Sequence, residues 1–189
     1  LHNVGGSVEL RGGASTSAAG GSIAIKSGIG QATSSGDVLL TSSNAGSAGI
    51  SGELNLCTGT SAEGSTGGLY LSSGAAQNGR GGDIALGVGQ GDQGAGGAIC
   101  LTAGSTTSAS DPGGMITLTS GYSSKTTSGS LMQRTADAGV AGVSGSIVLS
   151  SGTSSAGTTG GIGLVSGAAR GGAGGALLLS VGDGDGGDG

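Results

Sequence analysis

One glycine keeps a fixed phase along the whole chain, two residues before an aliphatic–x–aliphatic segment. The glycines are Gly6, Gly21, Gly36, Gly52, Gly67, Gly82, Gly97, Gly114, Gly129, Gly145, Gly160 and Gly175. The aliphatic pairs are Val8/Leu10, Ile23/Ile25, Val38/Leu40, Leu54/Leu56, Leu69/Leu71, Ile84/Leu86, Ile99/Leu101, Ile116/Leu118, Ile147/Leu149, Ile162/Leu164 and Leu177/Leu179. The ninth repeat breaks the rule: it has Leu131 followed by Gln133. Successive repeats are 15, 15, 16, 15, 15, 15, 17, 15, 16, 15 and 15 residues apart. Twelve units in register over 189 residues make this a repeat protein, and that reading precedes any search for motifs.

Alternation of period two places both aliphatics of a pair on one face. A second glycine follows the second aliphatic by three residues at Gly13, Gly28, Gly59, Gly74, Gly89, Gly104, Gly121, Gly152, Gly167 and Gly182, with Ser43 and Ala136 as exceptions. A strand of about four to six residues between two glycine-marked corners is of ordinary length. Such a strand cannot bury its own apolar face, but neighbours stacked in register would. The expected fold is therefore all-β: a narrow β-solenoid of about twelve coils, one per repeat of roughly 15 residues, spanning residues 1–189 as a single domain. At a strand spacing of about 4.8 Å the coils would make a rod roughly 55–60 Å long. The aliphatic pairs, with Leu131, would form its core ladder, and Ile84, Leu86, Ile99 and Leu101 would be almost wholly inaccessible.

Five residues after the second aliphatic stands a column of small residues: Ser15, Gly30, Ala45, Ser61, Ala76, Gly91, Thr106, Ser123, Ala138, Ser154, Ala169 and Gly184. In a solenoid this column would line the close approach of a second wall. The extra residues of the longer repeats fall at one phase, before the next fixed glycine, as in a loop on one edge. Gln133 and Ala136 mark the ninth repeat as a defect, and a bulge or outward turn is expected near Leu131–Val143. Helix is excluded by 49 glycines. Collagen is excluded because glycine does not recur at every third residue and Pro112 is the only proline. Flexible Gly/Ser linker is the competing reading of the composition, and the regular aliphatic register argues against it.

With no Phe or Trp and only Tyr70 and Tyr122, the chain lacks the volume of a globular core. A net charge of −5 argues against a nucleic-acid partner. No apolar run is long enough to span a membrane. Neither end carries an obvious cap, as expected of a piece of a longer array or of a filament subunit. Cys57 and Cys100 would lie three coils apart, about 14 Å, beyond the roughly 7 Å reach of a disulfide.

Chemistry-bearing motifs are sparse. Gly89-Gln90-Gly91-Asp92-Gln93-Gly94 matches GxGxxG, but no helical pattern follows to hold a phosphate. The tail from Gly182 to Asp188 faintly resembles calcium-binding nonapeptide repeats of secreted bacterial toxins, but it lacks their aliphatic and does not recur. His2 is the sole histidine, and no serine has a placed base. No enzymatic activity, metal or cofactor is expected.

The outward columns discriminate among binding roles. Thin solenoids with coils of this size resemble insect antifreeze proteins, which present ranks of Thr-x-Thr, yet only Thr117-Leu118-Thr119 forms that motif here. The column between the aliphatics instead holds Leu39, Tyr70, Met132, Val148 and Leu178, which suggests lateral contact. In period and composition the whole chain resembles the Gly/Ser-rich β-solenoid repeat regions of large secreted adhesin-like or fibrous surface proteins. That resemblance implies a structural module of an extracellular or cell-surface fibre: a stiff, adhesin-like spacer that associates end to end, and side to side through its apolar column. A surface-binding module for ice or polysaccharide is the alternative.

Overall fold

The structure, a computed structural model, describes residues 5–184. Among the described residues there is neither helix nor strand. The β-solenoid expected from the repeat is therefore not formed: no ladder joins one aliphatic segment to the next. Every backbone–backbone hydrogen bond among the described residues closes a local reversal.

The core is missing as well, since no described residue is buried. The expected core ladder is corrected at every rung. In the first unit of the chain Val8 and Leu10, Ile23 and Ile25, Val38 and Leu40, Leu54 and Leu56, Leu69 and Leu71, and Ile84 and Leu86 are all exposed. In the second, Ile99 and Leu101, Ile116 and Leu118, Leu131, Ile147 and Leu149, Ile162 and Leu164, and Leu177 and Leu179 are exposed too. Each side chain faces water because no neighbouring segment is hydrogen-bonded alongside to cover it.

Magnitudes explain why the repeat stays open. The accessible surface is 18690 Å². A compact protein of 17.0 kDa would expose about 7,700 Å², and its fully unfolded chain about 25,000 Å². A fully buried aliphatic side chain contributes about 1.5–3 kcal/mol. One pair in roughly 15 residues, partly left in water, does not offset the backbone entropy of ordering a coil. Glycine, at 49 positions, raises that entropic cost above the ordinary value.

The chain divides into two units, Leu1–Gly96 and Gly97–Gly189. The boundary falls between the sixth and seventh repeats, so each unit carries six. In the first unit the chain bends at residues 16–18, 31–33, 47–49, 62–64, 77–79 and 92–95. In the second it bends at 109–110, 124–126, 140–141, 155–157 and 170–172. These positions follow the steps of the sequence repeat. A bend begins three residues after the second corner in the 15-residue repeats, as from Gly13 to residue 16. The delay is four residues after Ser43 and Ala136, in the two 16-residue repeats, and five after Gly104, in the 17-residue one. Extra residues are thus absorbed between the corner and the next fixed glycine.

Four of these reversals are closed by one backbone bond, from the fixed glycine back to the corner. Gly21 N–H donates to the Gly13 carbonyl at 2.8 Å, Gly36 to Gly28 at 3.0 Å, Gly114 to Gly104 at 2.8 Å, and Gly129 to Gly121 at 2.9 Å. The Gly104–Gly114 closure spans the longest repeat, so two additional residues do not prevent it. Backbone with positive φ occurs inside the bends, at Gly49, Gly64, Asn78, Gly94 and Gly171. Asn78, at φ 57°, is the one non-glycine among them, and asparagine tolerates this region better than other side chains.

Candidate interaction surface

The fixed glycine owes its place to a close approach. In ten of the twelve repeats the residue just before the second corner is small, Val88 and Val181 being the exceptions, and at several of them the fixed glycine of the next repeat comes back against it. A Cβ added at Gly36 would lie 3.5 Å from the Cβ of Ser27, and one at Gly52 3.5 Å from that of Ser42. At Gly82 the neighbour is Ser73 at 3.6 Å, and at Gly129 it is Ser120 at 3.6 Å. The tightest are Gly114 against Ala103, at 3.3 Å, and Gly145 against Thr135, at 3.2 Å from Cγ2. Ala103, Ser120 and Thr135 are among the few half-buried residues of the chain. Gly67 and Gly160 have open space instead.

The column of small residues also acquires a role, different from the one expected. Among the described residues there is no second wall for it to face. Its members open the bends, and all five that carry a hydroxyl bond the backbone there. Ser15 Oγ accepts from Ala18 N at 3.0 Å, and Ser154 Oγ from Gly157 N at 3.0 Å. Thr106 Oγ1 accepts from Ser108 N at 3.1 Å. Ser123 Oγ accepts from Thr126 N at 3.0 Å and from Lys125 N at 3.5 Å. Ser61 Oγ donates to the Glu63 carbonyl at 2.9 Å. These are local turns in which a short hydroxyl side chain substitutes for a backbone partner. Smallness at this phase was visible in the sequence; the hydrogen bonding was legible only in the Ser/Thr share of the column.

Between the bends the exposure alternates. From Ile23 to Leu177 the paired aliphatics are 53–71% exposed. The intervening Leu39, Tyr70, Met132, Val148 and Leu178 are 78–89% exposed. Each pair therefore has some cover on one side and a large apolar remainder in water. Coverage fades at the outermost repeats, with Val8 at 92% and Leu179 at 76%. Val88, at 52%, lies on the same face, two residues beyond Leu86, where every other repeat but the last, with Val181, carries a small residue. The result is a recurrent apolar face of two aliphatics per repeat.

The ninth repeat keeps only the first aliphatic of this face, Leu131. The chain reverses at 140–141, and Thr135 meets Gly145 as Ser120 meets Gly129. A bulge or outward turn is expected here: at 140–141 the chain makes a turn where the other repeats bend, and Val140 and Val143 stand fully in water. Gln133 stands exposed at the phase of an aliphatic.

Charged groups stay local. Arg11 pairs with Glu9 at 3.2 Å, and Arg80 with Asp83, all on exposed side chains. Cys57 and Cys100 are free, exposed thiols. The GxGxxG stretch at 89–94 runs into the bend at 92–95, with no helix after it. Among the described residues there is no cavity and no cluster of three metal-ligating side chains. Nor is there, among them, a helix long and apolar enough to cross a membrane. His2 and the tail residues Asp185 and Asp188 lie outside the described residues. Compared with protein-family models, curated proteins and solved structures, the chain matches none.

Proposed function

We propose that this chain is a structural module of an extracellular or cell-surface fibre, acting as a repetitive spacer that associates with copies of itself. The observation that carries the reading is the aliphatic pair, left more than half exposed at one phase in repeat after repeat. A contiguous apolar surface of a few hundred Å² already marks an interaction site. This chain presents such groups on a fixed period, and a periodic apolar face is complementary to a second copy of itself. Exposed hydroxyls in the bends supply the hydrated remainder. The role is structural and non-catalytic, and it calls for neither cofactor nor nucleic acid.

The mode of association follows from the face. End-to-end addition through unpaired strand edges loses its basis, because the described residues hold no strand. Sideways association through the aliphatic pairs remains. Sedimentation velocity over a range of concentrations tests this. The natural chain is expected to shift to larger species as concentration rises. A variant with Ile84, Leu86, Ile99 and Leu101 all replaced by serine is expected to shift less. Equal behaviour of the two chains, or a monomer at every concentration, would overturn the reading.

A further inference from the structure

We propose that Asn78 and Gly79 form a self-modification site, where the chain closes a succinimide ring on itself and water opens it to aspartate or isoaspartate. The reading is independent of self-association. Two observations single out this position. Of the four asparagines, Asn3, Asn44, Asn55 and Asn78, only Asn78 is followed by glycine. Val4, Ala45 and Leu56 put a side chain beside the peptide nitrogen that would have to attack, and glycine puts none there. The second observation is the bend itself. In the bends at 16–18, 124–126 and 155–157, a hydroxyl accepts from the backbone N–H three residues on: Ser15 from Ala18, Ser123 from Thr126 and Ser154 from Gly157. In the bend at 77–79 the same column holds Ala76, and the N–H three residues on belongs to Gly79. Alanine has no acceptor to offer, and among the described residues Gly79 N–H has no partner. Asn78 is exposed, at φ 57°, and its side-chain amide has no partner among them either, whereas that of Asn55 donates to Glu53 Oε2 at 3.3 Å. The attacking nitrogen and the amide it attacks are therefore neighbours in one uncovered bend.

Asparagine is among the thermolabile residues, and the chemistry here needs only water. The Gly79 peptide nitrogen bonds to Cγ of Asn78, the Cγ–Nδ2 bond breaks, and Nδ2 leaves as ammonia with the proton that the Gly79 nitrogen gave up. Water then adds to one ring carbonyl, its hydroxyl to carbon and its remaining proton to the ring nitrogen. Opening at Cγ restores the ordinary backbone and leaves an aspartate side chain. Opening at the backbone carbonyl carbon of Asn78 routes the main chain through Cγ, as isoaspartate. Nothing is oxidised or reduced. Either product adds one negative charge to a chain of net charge −5, two residues before Arg80, which pairs with Asp83. Isoaspartate also lengthens the main chain of the bend by one carbon.

Peptide mapping tests the site. The full chain is incubated at neutral pH and digested with trypsin, which leaves Asn44, Asn55 and Asn78 in one peptide, residues 27–80. Tandem mass spectrometry then locates aspartate and isoaspartate by position. Conversion at Asn78 is expected to exceed that at Asn44 and Asn55 by about tenfold or more, with isoaspartate among the products, since direct hydrolysis of the side-chain amide gives aspartate alone. Gly79→Ala is expected to slow it by about tenfold; the bend has room for the methyl, whose nearest neighbour is the Ala76 Cβ at 3.9 Å. Ala76→Ser, which supplies the missing acceptor, is expected to slow it about 2- to 12-fold, the worth of one net hydrogen bond. Aspartate without isoaspartate, equal conversion at the three asparagines, or a rate untouched by Gly79→Ala would overturn the site. A rate untouched by Ala76→Ser would overturn the part given to the missing hydroxyl.

Discussion

At the residue scale, the fixed glycine and the bend hydroxyl do separable work. At Gly114 an added methyl would meet Gly104 N at 3.1 Å and the Ala103 Cβ at 3.3 Å. At Gly67 it would meet nothing within 4 Å. Gly114→Ala is therefore expected to open the Gly104–Gly114 closure, and Gly67→Ala to change little. A net hydrogen bond is worth about 0.5–1.5 kcal/mol, so the closed population should fall roughly 2- to 12-fold. The temperature coefficient of the residue 114 amide proton would report it. Ser123→Ala removes the acceptor for both Lys125 and Thr126. Those two amides should move towards solvent-exposed behaviour by a similar factor, while the bend at 155–157, held by Ser154, stays as it was.

At the scale of the repeat, bend and segment answer differently to insertion. The 17-residue repeat closes through Gly104 and Gly114 just as shorter ones do. Two residues added after Gly152, ahead of the bend at 155–157, should leave self-association within about twofold, because lengthening a loop costs little entropy. One residue inserted between Ile162 and Leu164 should weaken it, because the alternation that puts both on one face is lost. Sedimentation of the two variants beside the natural chain would separate these outcomes. The same contrast shows what could be read from sequence. Glycine phase located the turns: from residue 16 to residue 170 the bends step with the repeat. Alternation marked which of two neighbours is more exposed, as with Val38 and Leu39. Periodicity says which residues share a face, but not whether that face closes. Closure depends on a balance between glycine entropy and small apolar areas, and here it fails, leaving pairs such as Leu54/Leu56 and Ile147/Leu149 in water. Nor could spacing alone show that Ser27 and Ser73 return to meet Gly36 and Gly82, which is a consequence of how each reversal folds.

At the scale of the whole molecule, apolar attraction competes with charge. Each copy carries a net charge of −5, so copies repel at long range. Raising ionic strength from 0.01 to 0.15 M shortens the screening length from about 30 Å to about 8 Å. Association should tighten over that range, and a concentration series at both salts would show it. The most direct test of the account follows the methyl groups themselves. A soluble paramagnetic probe, read by methyl NMR, reports which aliphatic side chains water reaches. In dilute solution the methyls of Ile84, Leu86, Ile99 and Leu101 should relax as accessible groups, somewhat less than those of Leu39, Val148 and Leu178. On concentration, protection should grow at the pairs and lag at the intervening column. Pairs already shielded in the dilute monomer, or protection that rises equally in both columns, would contradict the claim that an open aliphatic face drives this chain to associate.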